Sequence, residues 1–386
     1  MELRTYLRHF DYALLAAVLG LIVYGMIIIY SATRSDPNLS SPYYYVKIQA
    51  VAAIIGAVLL IIFALLDFRG LRAYRLHMYA GIIGFMLLVF IVGAAARGGQ
   101  RWIGLGFINL QPSEIAKIVM ILVISAFLAG RQRGDLDSHT TLLAIGYVMI
   151  PALLVFLQPD FGTALVLVAV TAALLFVYGT RMLHFLVIAV ALAAGLLLVL
   201  GALPAIGIHL LKSYQIDRLL VFLHPGNDPG GAGFQLLQSK IAVGSGMLTG
   251  KGLYHGTQTQ LNFLPEHHTD FIFSVLGEEL GFLGVAVLLA LYVVVIWRGL
   301  RIAIISESMF GSLVAAGIVS MLVFQVFVNI GMTVGIMPIT GIPLPFMSYG
   351  GSSMVANLIA VGLLESVHIR SRLIGGRRYM RAKIAG

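Results

Sequence analysis

The chain has 386 residues, 60% of them hydrophobic and 11% charged, with a mean hydropathy of +0.98 and a net charge of +9. That balance excludes a water-soluble domain and describes a protein that crosses a membrane many times. The absence of cysteine excludes disulfides, thiolate metal sites and thiol nucleophiles. The basic residues lie in short loops between apolar runs, which points to anionic lipid and away from nucleic acid.

At about 20 apolar residues per crossing, ten transmembrane helices are predicted, near 12–31, 45–66, 76–95, 114–130, 141–157, 162–179, 183–202, 272–297, 309–332 and 353–370. The first is too long for a signal-peptide core and lacks a small-x-small cleavage site, so it is read as an anchor that stays. An even count puts both termini on one side. By that layout 16 Lys and Arg fall on the side of the termini and 8 on the other, with Lys117 inside the membrane. The richer side, which carries the basic tail 371–386, is cytoplasmic. The chain reads as one all-α membrane domain over 1–386.

Three outer segments exceed what a turn needs: 96–113, the large extracytoplasmic loop 203–271 between helices 7 and 8, and 333–352. Long loops without structure of their own are uncommon unless functional. The last contains no Lys, Arg, Asp or Glu, so it is expected to re-enter the membrane or pack on protein. Within 203–271, the stretches 213–223 and 234–243 mix basic residues with an apolar face, as helices lying on an interface do. Gly244-Ser-Gly-Met-Leu-Thr-Gly-Lys251-Gly252 fails the P-loop spacing. A pyrophosphate cradle of backbone amides and a plain flexible turn both remain open for it.

The segment richest in chemistry closes the large loop: Glu266, His267, His268, Thr269 and Asp270, followed at once by Phe271-Ile-Phe273. Asp270 therefore stands where a carboxylate begins to lose water, a costly position kept mostly for function. The plain alternative is that Thr269 or Asp270 caps the next helix. Glu114 and Lys117, three apart at the head of the fourth helix, share a face. They are either a self-neutralising pair or the lining of a polar cavity open to the outside, with Arg101 and Trp102 just before them. His255, His267 and His268 lack metal-helix spacing, and no metal site is assigned. A divalent cation such as Mg or Mn shared between Asp270 and a substrate pyrophosphate stays open. One boundary carboxylate, outer cations and an apolar surround suit group transfer from a lipid-borne anionic leaving group.

These blocks resemble the shape, elongation, division and sporulation (SEDS) family. The resemblance rests on Arg101-Trp-Ile, Gln111-Pro-Ser-Glu114-Ile-Ala-Lys117, Gln158-Pro-Asp160-Phe-Gly-Thr, Phe263-Leu-Pro-Glu-His-His-Thr-Asp270-Phe-Ile-Phe, Asn329-Ile-Gly-Met and Gly341-Ile-Pro-Leu-Pro-Phe-Met-Ser-Tyr-Gly-Gly-Ser352. The wording before Asp270 is more like the elongation members than the division members. The resemblance implies a GT-C-like membrane fold and polymerisation of lipid II into β(1→4) glycan at the outer face of the inner membrane. Undecaprenyl pyrophosphate would leave, and Asp270 would be the catalytic aspartate. Glu114 and Lys117 match the family's polar pair beside the cavity, while Arg101, Lys117, Lys240 and Lys251 are candidates to balance phosphate charge.

The implied partners are a class B penicillin-binding protein of the PBP2 kind and other membrane proteins of the elongation complex. The partner's single helix is expected on helices 8 and 9, where Phe282, Tyr292, Phe310, Phe324 and Phe327 stand among the small residues Gly281, Gly284, Gly311 and Gly317. The alternatives are a lipid II flippase gated by Glu114 and Lys117, and a scaffold for cell-wall enzymes.

Overall fold

The computed structural model describes residues 6, 8–34, 41–96, 99–104, 109–131, 138–198, 204, 231–260, 263–264 and 267–385. The helices are α1 (Tyr12–Thr33), α2 (Tyr44–Leu65), α3 (Phe68–Leu71), α4 (Arg75–Val92), α5 (Pro112–Ala129), α6 (Ser138–Leu157), α7 (Phe161–Tyr178) and α8 (Met182–Leu197). They continue as α9 (Ala232–Ser245), α10 (Thr257–Gln260), α11 (Ile272–Ile305), α12 (Met309–Val334) and α13 (Gly351–Ala385).

Among the described residues, eight helices are long and apolar enough to cross a membrane, and Arg75–Ile91 and Met182–Gly195 are shorter apolar helices. Together these are the ten expected, and the protein is multi-pass and all-α in its membrane part. The expected interfacial helix at 234–243 is α9, while 213–223 lies outside the described residues. Among the described residues, the elements not foreseen are the four-residue helices α3 and α10 and a small antiparallel sheet, β1 (Ala94–Ala96), β2 (Gly99–Gly104) and β3 (Asn109–Leu110), before α5.

Helix α5 is the axis of the bundle. All but three of its residues, Ile115, Val119 and Ala129, are buried, so it reads as apolar all round, as a central helix must. Around it α4, α6, α7 and α12 pack through one continuous core. A second layer is pinned at the end bearing the termini. There Asp11 caps α1 and its carboxylate accepts from Arg298 Nε of α11 at 2.7 and 2.9 Å. The Asp11 amide donates to Glu365 of α13. Arg370 of α13 donates to the carbonyls of Ala64 and Leu65, satisfying orphan groups at the end of α2.

At the opposite end the uncharged segment 335–350 folds back onto protein. Ile342, Leu344, Phe346 and Met347 are buried. Gln49 of α2 donates to the Ser348 carbonyl and accepts from the Gly350 amide. The Tyr292 hydroxyl donates to the Pro345 carbonyl. Backbone without regular structure is tolerated at such a depth only where protein satisfies it, and these side chains do so.

Helix α11 contains a break at Gly281, with φ 62° and ψ −160°. A break in a membrane helix leaves backbone groups orphaned. Here the segment 246–252 satisfies them: the amides of Lys251 and Gly252 donate to the carbonyls of Glu278 and Glu279, and those of Phe282 and Leu283 donate to Met247 and Leu248. The approach is so close that a Cβ at Gly250 would strike the Glu279 carbonyl.

Candidate active site

Asp270 stands in the turn 267–271 immediately before α11. The residue at the N-cap position of α11 is Phe271, which makes no side-chain capping bond. Two anchors fix its backbone. Phe271 is buried with Leu236, Leu264 and Ile339 in a small apolar cluster, separate from the main core, that joins α9, the turn and the segment 335–350. The Asn329 side-chain amide donates to the carbonyls of both Asp270 (2.9 Å) and Ile342 (2.8 Å), riveting the turn to that segment.

The Asp270 residue is partly exposed, and its Oδ2 lies 3.4 Å from where a Cβ at Gly341 would be. Gly341 has φ +72°, a region L-residues avoid. The site therefore keeps a bare backbone beside the carboxylate, where a substrate could approach.

One flank of the turn is aromatic. The His268 ring lies 4.5 Å from that of Tyr45 and 5.7 Å from that of Tyr349, and the Tyr349 amide donates to the His268 carbonyl. Burial pushes the Tyr349 hydroxyl up to about 12. His267 Nδ1 meets the Leu264 carbonyl and His255 Nδ1 meets that of Leu253. The three histidines thus serve local backbone and ring contacts. Among the described residues, no group of three or more His, Asp or Glu could hold a metal ion.

From Asp270 a continuous set of contacts leads to α5. Thr340 and Ile342, on either side of Gly341, press on Gly162 at the head of α7, where a Cβ would fall 2.7 Å from the Thr340 carbonyl. Asp160 caps α7 through the Thr163 amide and accepts from Gln111 Nε2 (2.8 Å) and Ser113 Oγ (3.1 Å) at the head of α5. The Ser352 hydroxyl accepts from the Gln111 amide and donates to the Asn109 carbonyl, tying the head of α13 to the same place.

One turn deeper, Lys117 Nζ lies 2.9 Å from both carboxylate oxygens of Glu114. Their side chains are only 2% and 3% exposed, so the predicted pair is made and buried. Pro112 opens α5 at the position where its missing amide costs nothing.

The other predicted cations occupy different places. Arg101, on β2, donates to the carbonyls of Gln158 and Pro159, clamping the turn between α6 and α7. Lys240 is exposed on α9, its stem lying over Gly335 where the segment 335–350 begins. Ser239 next to it bonds Ser274 at 2.6 Å and the Thr333 carbonyl at 2.7 Å, fastening α9 to the outer part of α11 and to α12.

Lys251 is engaged elsewhere. Its Nζ lies 2.7 Å from the fully buried Glu278, which also accepts from Thr257 and the Gln258 amide. Two amides of the Gly244–Gly252 stretch, those of Lys251 and Gly252, donate to α11 carbonyls, and two of its carbonyls accept from α11, so the stretch is packed backbone against the helix, not a plain flexible turn. It splints a broken helix. Glu279 beside it is held by Ser31 at 2.6 Å. Glu278, Glu279, Asp160 and Asn329 take up structural roles that were not expected of them. Polar residues in membrane helices were the available signal.

The expected docking surface also changes. Tyr292 and Phe310 are buried, while Gly311 and Gly317 face Phe68 and Ile121 inside the chain. Gly281 and Gly284 are likewise covered internally, by Gly250 and Leu280. None of these glycines lies open to another helix. What remains outward on α11 and α12 is apolar side chain, including Phe282 at 61% and Phe327 at 60% exposure.

The chain resembles known proteins along nearly its whole length. It is 40% identical to the peptidoglycan glycosyltransferase MrdB of Escherichia coli over 366 residues, 95% of each chain. It is 37% identical to a probable peptidoglycan glycosyltransferase FtsW of Geobacter metallireducens, covering 95% and 96%. Among solved structures, a chain of a peptidoglycan synthase complex that coordinates polymerization and crosslinking superimposes with TM-score 0.78 at 33% identity, covering 94% and 98%. The rod shape determining protein RodA of Thermus thermophilus does so with TM-score 0.68 at 30% identity, covering 93% and 96%. The family model described as cell cycle protein, FTSW_RODA_SPOVE, matches residues 12–373, and the chain belongs to that family, the SEDS proteins.

Proposed function

We propose that this chain, a peptidoglycan glycosyltransferase by family, polymerises lipid II at the outer face of the inner membrane for cell elongation, with both termini in the cytoplasm. Asp270 is its general base. It takes the proton of the acceptor 4-hydroxyl as that oxygen attacks C1 of the donor sugar. The bond from C1 to the pyrophosphate breaks, and undecaprenyl pyrophosphate leaves with the electron pair, inverting an α-linked donor to a β(1→4) product. One carboxylate suffices because a pyrophosphate leaves without strong acid, unlike the leaving groups of two-carboxylate glycosidases.

The observation that carries this reading is the support of Asp270. Its backbone is held by Asn329 and Phe271, its residue is partly exposed, and a side-chain-free Gly341 stands beside it. That is how a rigid scaffold presents a base to a substrate. The buried Glu114–Lys117 pair, linked to the site through Asp160 and the 340–342 segment, supports the outer half of α5. Lys240 is the candidate best exposed to meet a phosphate, and Arg101 and Lys251 act through the segments they clamp. A class B penicillin-binding protein is the partner, seated on the outward apolar face of α11 and α12.

Purified protein with lipid II, with and without such a partner, is the test. The unmutated chain is expected to give a polymer ladder. Asp270→Asn is expected to fold, insert and bind the partner normally and give none. Substantial polymer from Asp270→Asn removes the base assignment. No polymer from the unmutated chain, with lipid II moved across vesicles instead, favours a transporter.

A further inference from the structure

Beneath Asp270 the interior of the bundle holds an amide that no described contact uses. Gln325 of α12 is 0% exposed, and neither its Oε1 nor its Nε2 has a hydrogen-bond partner. An unpartnered amide in an apolar interior is strongly disfavoured, and few such groups occur without a reason.

Three observations place it. Asn329, which holds the Asp270 and Ile342 carbonyls, lies one helical turn outward of Gln325 on the same side of α12. Val323 and Phe327, on the opposite side, are exposed, so Gln325 points to the bundle axis. A Cβ at Gly317 would lie 2.8 Å from Ile121 Cγ2, which fixes the register of α12 against α5. Eight residues outward from Gly317 is Gln325. The same rise outward along the antiparallel α5, about 12 Å, reaches Ser113, next to Glu114.

A third helix brings a second amide to this depth. The Ser352 bonds to Asn109 and Gln111 align the head of α13 with that of α5. Asn357, five residues further in, therefore stands level with Glu114 and Lys117. It is 1% exposed, donates only to Ser353, and its Oδ1 has no partner. Two amides with unused hydrogen-bonding atoms thus stand at about the depth of the buried ion pair on α5.

We propose that Gln325, backed by Asn357, is a positioning residue for the Glu114–Lys117 pair. Its carbonyl oxygen accepts from Lys117 and its amino group donates to Glu114 as the site passes through its working conformations. The pair then exchanges partners within the bundle instead of being left uncompensated. Gln325 touches no substrate. It sets the orientation of the outer half of α5, and through Asp160 and the 340–342 segment it sets that of Asp270. The proposal rests on the polymerase reading above.

Gln325→Leu replaces an unpartnered amide by an apolar group of similar size, so a purely structural account expects no loss of stability. The positioning account adds a kinetic defect: Tm no lower than that of the unmutated chain, kcat for glycan polymerisation down at least about tenfold, and KM for lipid II within about twofold. The second arm moves the charge. Glu114→Gln is expected to be impaired, and Glu114→Gln/Gln325→Glu is expected to regain at least about tenfold over it, because the carboxylate at 325 takes over Lys117.

Full kcat in Gln325→Leu, a fall in Tm with kcat in proportion, or a double variant no better than Glu114→Gln would each overturn the proposal. No polymer from the unmutated chain would overturn the underlying reading and this one with it. That failure is recognisable because it precedes any change at 325.

Discussion

The ion pair of α5 allows a quantitative test. Lys117 and Glu114 are 2.9 Å apart and 2% and 3% exposed. At an effective dielectric constant of about 20 their direct attraction is about 6 kcal/mol. Most of that offsets desolvation, so the pair as a whole adds little, but removing one partner strands the other charge, at about 3–5 kcal/mol. Lys117→Met and Glu114→Gln are therefore each expected to lower stability by about that amount, whereas the double variant should lie within about 1 kcal/mol of the unmutated chain. Thermal unfolding in detergent, read as a double-mutant cycle, would give a coupling of several kcal/mol. Polymer assays on the same samples separate stability from function, because the double variant should be stable and still make little glycan. Additive losses, or single variants as stable as the unmutated chain, would show that the pair is solvated and the burial argument wrong.

Three other outcomes follow from the geometry. Gly341→Ala places a methyl 3.4 Å from Asp270 Oδ2 at φ +72°, and should cost about 1–2 kcal/mol and lower polymer yield; an unchanged rate at unchanged Tm would clear Gly341 of any role. Lys251→Met should lower stability, because it removes the cation beside fully buried Glu278, while KM for lipid II stays constant; the reverse pattern would restore Lys251 as a phosphate ligand. Cysteines at Phe282 and Phe327, in a chain with none of its own, should crosslink to the partner's transmembrane helix, whereas cysteine at Leu19 on α1 should not; crosslinks confined to α1 would move the docking face.

How much of this was legible in the sequence depends on the kind of physics involved. The apolar runs gave the ten helices because backbone in lipid has few options besides helix. The i, i+3 spacing gave the Glu114–Lys117 pair because helix geometry makes those side chains neighbours. The boundary position of Asp270 was visible because polar and apolar residues change abruptly there.

The failures share one cause, which is that a short-range pattern cannot say what a distant segment does to it. Gly244–Gly252 looked like a loop for a ligand, yet its partner is the break at Gly281, some 30 residues on in the chain. Gly311 and Gly317 looked open to another protein, yet Phe68 and Ile121 of the same chain fill those places. Arg101 read as a free cation, and only the fold brings it to the carbonyls of Gln158 and Pro159. The small sheet before α5 was missed because its strands are only two to six residues long.

The break in α11 has a mechanical consequence. An unbroken helix would make residues 272–305 a single rod, so any tilt imposed by lipid or by a neighbour on its inner length would be delivered at full leverage to Asp270. With the rod cut at Gly281 and the cut spliced by four backbone bonds from 247–252, the outer stub packs on α9. Two of those bonds lie on each side of the cut, so the inner shaft and the outer stub are clamped to each other at a fixed bend. The direction in which the chain enters the turn carrying Asp270 is thereby set at the joint as well as by the long helix beneath it. The stiffness of the joint lies in a stretch of loop, 247–252, and not in either half of the helix.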